Sequence, residues 1–290
     1  MARRTDTENV KELLRLLSVS ETFTQYDALE QLQRIYSRLP EPVNAAILAD
    51  PRSLGHLMHV LQTSPVEYVR NECLSFLLLL TADNADIQTI VTVQGFIETI
   101  FSILEDEDLT LGGKVARDLL RCLMNVVGNT TCQKYLRETD GAASLVSAIS
   151  HAVAGKPGSE SEEEDKPEVS AESRWACLSL LLDAALLLAS PLEEAEAREA
   201  EANRLALIKA GALDLCQHLS NPQLAEAAQL MLVRLFESLE QCPQAEPCSM
   251  PCSMPCSMPC SVPFHKSPVS LNHGHDVQMC RATAATACGL

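Results

Sequence analysis

The sequence predicts an all-α, right-handed helical solenoid of about five repeats. Three observations carry that prediction: a core drawn from alanine and leucine with few aromatics, an apolar helix-closing motif at nearly constant spacing, and the same order of turn and helix inside each interval. The 290 residues are 47% hydrophobic but only 4% aromatic, and glycine and proline are sparse before position 240. Alanine and leucine are strong helix formers, so such a composition packs as helices.

The closing motif appears as LLRLLS ending at Leu17, LMHVLQ at Leu61, IFSILE at Leu104, LVSAIS at Ile149 and LCQHLS at Leu219. The intervals are 44, 43, 45 and 70 residues. The last is one regular interval enlarged by about 25 residues, and the enlargement is visible between Ala154 and Ser173, a Gly-, Pro-, Ser- and Glu-rich stretch without apolar periodicity. That stretch predicts a disordered acidic loop over 154–173, with the run Glu160 to Asp165 as a solvated segment.

Within the intervals, Gly95, Gly141 and Gly211 stand 8 or 9 residues before the closing residue. Glycine there lets one helix end in a left-handed conformation so that the next leaves at a sharp angle. A short polar turn follows, then a long apolar helix, as in YVRNECLSFLLLL, KVARDLLRCLMNVV, RWACLSLLLDAALLLA and LAEAAQLMLVRLFESL. Helices apolar on nearly all sides are expected between neighbouring repeats. Thr81 to Asn84, which interrupts a leucine-rich run, is then the seam between two repeats. The pattern is that of an armadillo- or HEAT-type solenoid, here over residues 1–242, followed by a low-complexity segment over 243–290. Asn125 falls where armadillo proteins often carry an asparagine that binds a partner's backbone.

Charge and motifs exclude several functions. A formal charge of −17 opposes nucleic-acid or anionic-membrane binding, which rests on clustered Lys and Arg. The N-terminal MARRTDTENVKELL has no apolar stretch behind its arginines, so the expected location is cytoplasmic. Trp175 to Leu192 carries Asp183 in its middle and reads as a buried helix rather than a membrane span. Asp183 is the leading candidate for a perturbed carboxyl, with a helix terminus or an arginine of the next repeat as its expected partner. Cys73, Cys122, Cys177 and Cys216 lie in apolar helical patterns and read as reduced core thiols. No nucleophile elbow, phosphate-binding glycine loop or zinc-protease motif occurs, so no enzyme, cofactor or small-molecule substrate is expected. His56 and His59 share a helical turn without a carboxylate at ligand spacing, which favours surface or packing roles.

At the C-terminus, Cys248, Cys252, Cys256 and Cys260 recur every four residues, each after a proline, with His265, His273, His275 and Cys280 beyond. The spacing does not suit a zinc knuckle, and apolar residues for a surrounding shell are missing. A disordered low-complexity tail is the preferred reading, ahead of multiple S-acylation and of zinc.

A narrower resemblance is carried by Arg70, Asn71, Leu78, Leu80, Thr81, Asn84, Ala85, Ile87, Gln88, Ile90 and Val91. It continues through Gly112, Gly113, Val115, Asp118, Leu120, Leu123, Asn125, Asn129, Gln133 and Glu138, and more weakly from Ala202 to Cys242. In this order the residues resemble the armadillo-like head domain of the general vesicular transport factors, the Uso-type golgin tethers, over about two-thirds of the chain. The resemblance implies a non-enzymatic tethering scaffold in endoplasmic reticulum to Golgi transport, peripheral on Golgi or vesicle membranes. It implies a Rab GTPase, golgins and SNARE-associated proteins as partners. Arg70, Asn71, Gln88 and Asn125 are the candidate contact residues. The chain departs from the family in having about five repeats where the head has more, and no heptad-rich coiled coil or terminal acidic tail. The alternative is an armadillo-type Hsp70 nucleotide exchange factor or general armadillo adaptor, which shares the glycine corner but not the residue order from Arg70 to Val91.

Overall fold

The structure, a computed structural model, describes residues 2–107, 109–110, 112–154, 171–191, 197–217, 229, 231 and 233–235. Residues 155–170 of the acidic stretch and the whole of 243–290 lie outside the described residues. Among the described residues the chain is helical and contains no strand. The order is α1 (Ala2–Leu16) and α2 (Thr22–Tyr36), then three triplets: α3 (Pro40–Ala49), α4 (Arg52–Thr63) and α5 (Glu67–Thr81); α6 (Ala85–Val93), α7 (Phe96–Asp106) and α8 (Lys114–Val127); α9 (Thr130–Glu138), α10 (Gly141–Ala154) and α11 (Ala171–Ala189). A further pair follows, α12 (Ala197–Lys209) and α13 (Ala212–Gln217).

Each position in the triplet packs against its equivalent in the next. The long helices α2, α5, α8 and α11 form one row, α1, α4, α7, α10 and α13 a second, and α3, α6, α9 and α12 a third. This is the helical solenoid that the intervals predict. The predicted closing positions Leu17, Leu61, Leu104 and Ile149 all lie in or directly after the second-row helices. Leu219 lies outside the described residues.

The middle long helices are buried on both flanks, which explains their composition. Val69, Cys73, Phe76, Leu77 and Leu80 of α5 are fully buried, as are Ala116, Leu119, Leu120, Leu123 and Val126 of α8. On α11, which packs against α8, α10 and α12, Cys177, Leu181, Leu182, Ala185 and Ala189 are equally enclosed. Each large apolar side chain contributes about 1.5–3 kcal/mol when taken from water. The helix that contains Trp175 to Ala189 is thus a core helix, and no single described helix is long and apolar enough to cross a membrane. Helix α2 was not legible as a long inner helix. As the first of its row it meets only one long neighbour, α5, and keeps a polar face with Gln25, Asp27, Glu30 and Gln31.

The seams are capped by asparagines. Asn84 accepts a hydrogen bond at Oδ1 from Ile87 N (3.0 Å) and opens α6 directly after α5 ends at Thr81. Asn129 does the same for α9 through Thr131 N (2.9 Å). Each satisfies an orphan donor of a helix N-terminus. Gly95 and Gly211 take the expected left-handed conformation, with φ of 87° and 94°, and α6 and α7 meet at Gly95 with a bend of 70°. Gly141 departs from the expectation. The left-handed residue at that corner is Asp140 (φ 57°), and Gly141 is the first residue of α10. Its missing side chain answers to space: a Cβ there would stand 2.6 Å from Leu136 Cγ and 2.8 Å from the Leu136 carbonyl oxygen.

Polar side chains join successive repeats in register. Gln88 Nε2 donates to the Thr81 carbonyl (2.8 Å), Gln133 Nε2 to that of Val127 (2.9 Å), and Asn203 Nδ2 to that of Leu188 (3.2 Å). These three amides occupy equivalent places on α6, α9 and α12, and each turns back to the end of the preceding long helix. They are also linked onward. Asn129 Nδ2 donates to Gln88 Oε1 (3.3 Å) and Asn203 Nδ2 to Gln133 Oε1 (3.0 Å), while Arg137 Nη1 donates to Asn203 Oδ1 (2.6 Å). Gln62 to Thr99 Oγ1 (2.7 Å) and Gln94 to the Pro51 carbonyl (2.9 Å) bridge the second-row helices and their turns.

Cys73, Cys122, Cys177 and Cys216 are free buried thiols, and Cys132 joins them. Burial pushes the Cys177 and Cys216 thiols up to about 11. Asp183 behaves differently from the expectation. It lies on the exposed side of α11, no cation pairs with it among the described residues, and burial of its surroundings alone raises its carboxyl.

Four outcomes are expected. Gly141→Ala forces a methyl against backbone and should lower unfolding free energy by about 2 kcal/mol in urea titration. Gln133→Ala removes a link and leaves the Val127 carbonyl and the Asn203 amide short of a partner, at about 2 kcal/mol, and should be strongly non-additive with Asn203→Ala. Because the thiols of Cys177 and Cys216 are raised in the folded state, the unfolded chain ionises first. Stability should therefore be intact below about pH 9 and fall as pH rises toward 11, as thermal melts across that window will show. At pH 8, iodoacetamide followed by peptide mapping should leave both residues unmodified in the native chain and modify them in denaturant.

Candidate partner-binding surface

Of the four candidate contact residues, the structure brings Arg70 and Asn71 together and places Gln88 and Asn125 elsewhere. Helix α5 starts after the Ser64-Pro65-Val66 turn, where proline and an extended backbone stop α4. Arg70, in the first turns of α5, donates from Nη1 to the Ser64 carbonyl (2.7 Å) and ties the helix to that turn. Both Arg70 and Asn71 are half-buried and line a groove of about 440 Å³. Leu61, Leu74, Ile103 and Val115 give the groove its apolar walls, and Gln62, Glu67, Asp106 and Glu107 complete the lining.

Gln88 is buried, and both ends of its amide are hydrogen-bonded within the protein, to Thr81 and Asn129. It braces two repeats, and its amide is already engaged within the protein. Asn125 has a similar place: its Nδ2 donates to Thr81 Oγ1 (3.1 Å) and the Leu78 carbonyl (3.3 Å) of the preceding long helix. The armadillo-like asparagine is therefore turned along the row of long helices, where its amide satisfies groups at the C-terminal end of α5. Thr81 is available for this because its hydroxyl already donates back to Leu77 O (2.9 Å) and can still accept.

Sequence reasoning missed the exposed aromatics beside this region. Phe23 on α2 and Tyr68 on α5 are 70% and 53% exposed, and Tyr26 meets Tyr68 edge-on with centroids 5.2 Å apart. The signal in the sequence was only that aromatics are scarce, so that any displayed on the surface are notable. Helix α8 carries Asp118, nearly buried, between Lys114 Nζ (2.7 Å) and Arg121 Nη1 (3.1 Å). His56 is half-buried and His59 exposed on α4, and among the described residues no three His, Cys, Asp or Glu side chains converge as a metal site requires.

No family model matches the chain. It is 32% identical over 145 residues to the intracellular protein transport protein uso1 of Schizosaccharomyces pombe, covering 49% of this chain and 13% of that protein. It is 31% identical over 132 residues to the general vesicular transport factor p115 of Homo sapiens, covering 45% of this chain and 14% of that protein. The chain thus spans about one-seventh of the length of these relatives, and the sequence similarity covers about half of it rather than two-thirds. A crystal structure of Uso1 superposes with a TM-score of 0.68 over 81% of this chain and 33% of that one, at 19% identity, which shows a shared fold. Those relatives are named as transport factors, and this chain shares the helical-repeat fold of Uso1. By sequence over half its length and by fold over most of it, the chain is a homologue of the Uso-type vesicular transport factors.

Proposed function

We propose that the chain is a protein-binding scaffold of the vesicle-tethering kind, acting in endoplasmic reticulum to Golgi transport and in vesicle docking and fusion at Golgi membranes. The observation that carries this reading is the similarity to p115 and uso1 in a segment that folds as their repeats do. It sits peripherally on the cytoplasmic face of Golgi or vesicle membranes and engages a Rab GTPase, golgins and SNARE-associated proteins. Residues 1–242 form the repeat domain and 243–290 a low-complexity segment, and the boundary between two units of the chain at Cys242 and Pro243 supports this division. A stack of interlocked repeats presents an extended surface without rearrangement, which suits recognition of a partner rather than chemistry. Arg70 and Asn71 are the contact residues that this reading retains, because both line an open groove.

The test is affinity capture with the purified chain from cytosol supplied with a non-hydrolysable GTP analogue. A Golgi Rab or golgin should be retained, be lost when GDP replaces the analogue, and be reduced at least about tenfold by Asn71→Ala. Retention of Hsp70 that ATP releases, with no Rab, would overturn the tethering reading in favour of a chaperone exchange factor.

A further inference from the structure

We infer that the edge of the solenoid where α2 and α5 begin, together with the groove between α5 and the α7–α8 junction, is a docking site for a protein segment that alternates arginine or lysine with apolar side chains. Three independent features meet there. The first is the display of Phe23 and Tyr68 on adjacent long helices in a chain that is only 4% aromatic. Aromatic side chains held at a surface favour interfaces because they bury much area at little entropic cost, and Tyr68 is already held by its edge-on contact with Tyr26 (82° between ring planes). The second is the groove itself, whose volume of about 440 Å³ and apolar walls leave room for an aliphatic side chain.

The third feature is charge, and it selects the occupant. Glu67 and Glu107 line the groove beside Asp106, which is already engaged within the protein, and Arg70 is the one cation among the lining residues, with part of its guanidinium held by the Ser64 carbonyl. Of the other cations on α8, Lys114 and Arg121 are paired with Asp118, and Arg117 is not part of the groove lining. An incoming guanidinium or ammonium finds carboxylates for charge-assisted hydrogen bonds and aromatic faces for cation–π contact within the same edge. An acidic or phosphorylated segment meets net negative charge. The inference goes beyond the tethering reading and does not depend on it, since the surface selects a segment by its chemistry whatever compartment supplies it.

The test uses the full chain and short fluorescein-labelled peptides of alternating Arg and Leu, Gln and Leu, or Glu and Leu, read by anisotropy at physiological salt. The Arg–Leu peptide should bind saturably, with the other two at least about tenfold weaker. The double variant E67Q/E107Q and the single variant Y68A should each weaken it by about tenfold, whereas D86N/E138Q, which removes the same formal charge from exposed positions on α6 and α9, should leave it unchanged. Equal loss in D86N/E138Q would reduce the effect to diffuse attraction by an acidic protein and overturn the inference. So would the absence of saturable binding. A dimer of the free chain, seen by sedimentation and dissolved by Y68A, would assign the edge to a second copy and overturn it as well.

Discussion

No repeat of this protein can bury its own long helix, and the rest of the structure follows from that constraint. Helices α5 and α8 are apolar around most of their circumference because each has a long helix on both flanks and shorter ones behind, and α11 is enclosed by α8, α10 and α12. A single triplet would leave much of that surface in water, at about 25 cal/mol for each Å² exposed. Stacking is therefore obligatory, and stability accumulates along the row rather than within a unit. The terminal helix of the row shows the converse. With one long neighbour, α2 keeps glutamines and carboxylates where α5 keeps leucines.

Apolar stacking is poor at setting register, and the amides supply it. Gln88, Gln133 and Asn203 each turn to a carbonyl at the end of the preceding long helix, and their remaining oxygens accept from a side chain of the following repeat or, at Asn203, from Arg137. These groups are buried, so a slip of one repeat against its neighbour would leave several of them without partners, at about 1–3 kcal/mol each. The network thus makes one mutual arrangement of repeats much better than its alternatives. Buried thiols such as Cys73, whose Sγ donates to Leu57 O (3.1 Å), pack into the same seams as small apolar groups.

The surface left over by this interlocking is what the proposed recognition has to use. The candidate polar residues divide into those that face a neighbouring repeat and those that face a groove. Asn125 and Gln88 belong to the first group, Arg70 and Asn71 to the second. Because α5 is clamped by α2, α4 and α8, the groove and the aromatic edge are presented by a rigid element, and a partner loses little to ordering the scaffold.

The local sequence determined the repeat length, the seam at Thr81 to Asn84, the sharp corners at Gly95 and Gly211 and the buried nature of the helix through Trp175, because each of these is a property of a few consecutive residues: periodicity, a cap, a φ angle. Tertiary structure alone decided the matters that depend on residues far apart in the chain. Gly141 is required by Leu136 pressing on its α-carbon, with Asp140 taking the left-handed turn. Asp183 faces outward, and among the described residues it lacks the arginine that its apolar setting led one to expect. Gln88 and Asn125 differ from Arg70 and Asn71 only in what lies opposite them some forty residues away, and polarity read along a single helix carries no information about which neighbour, protein or solvent, a side chain will meet.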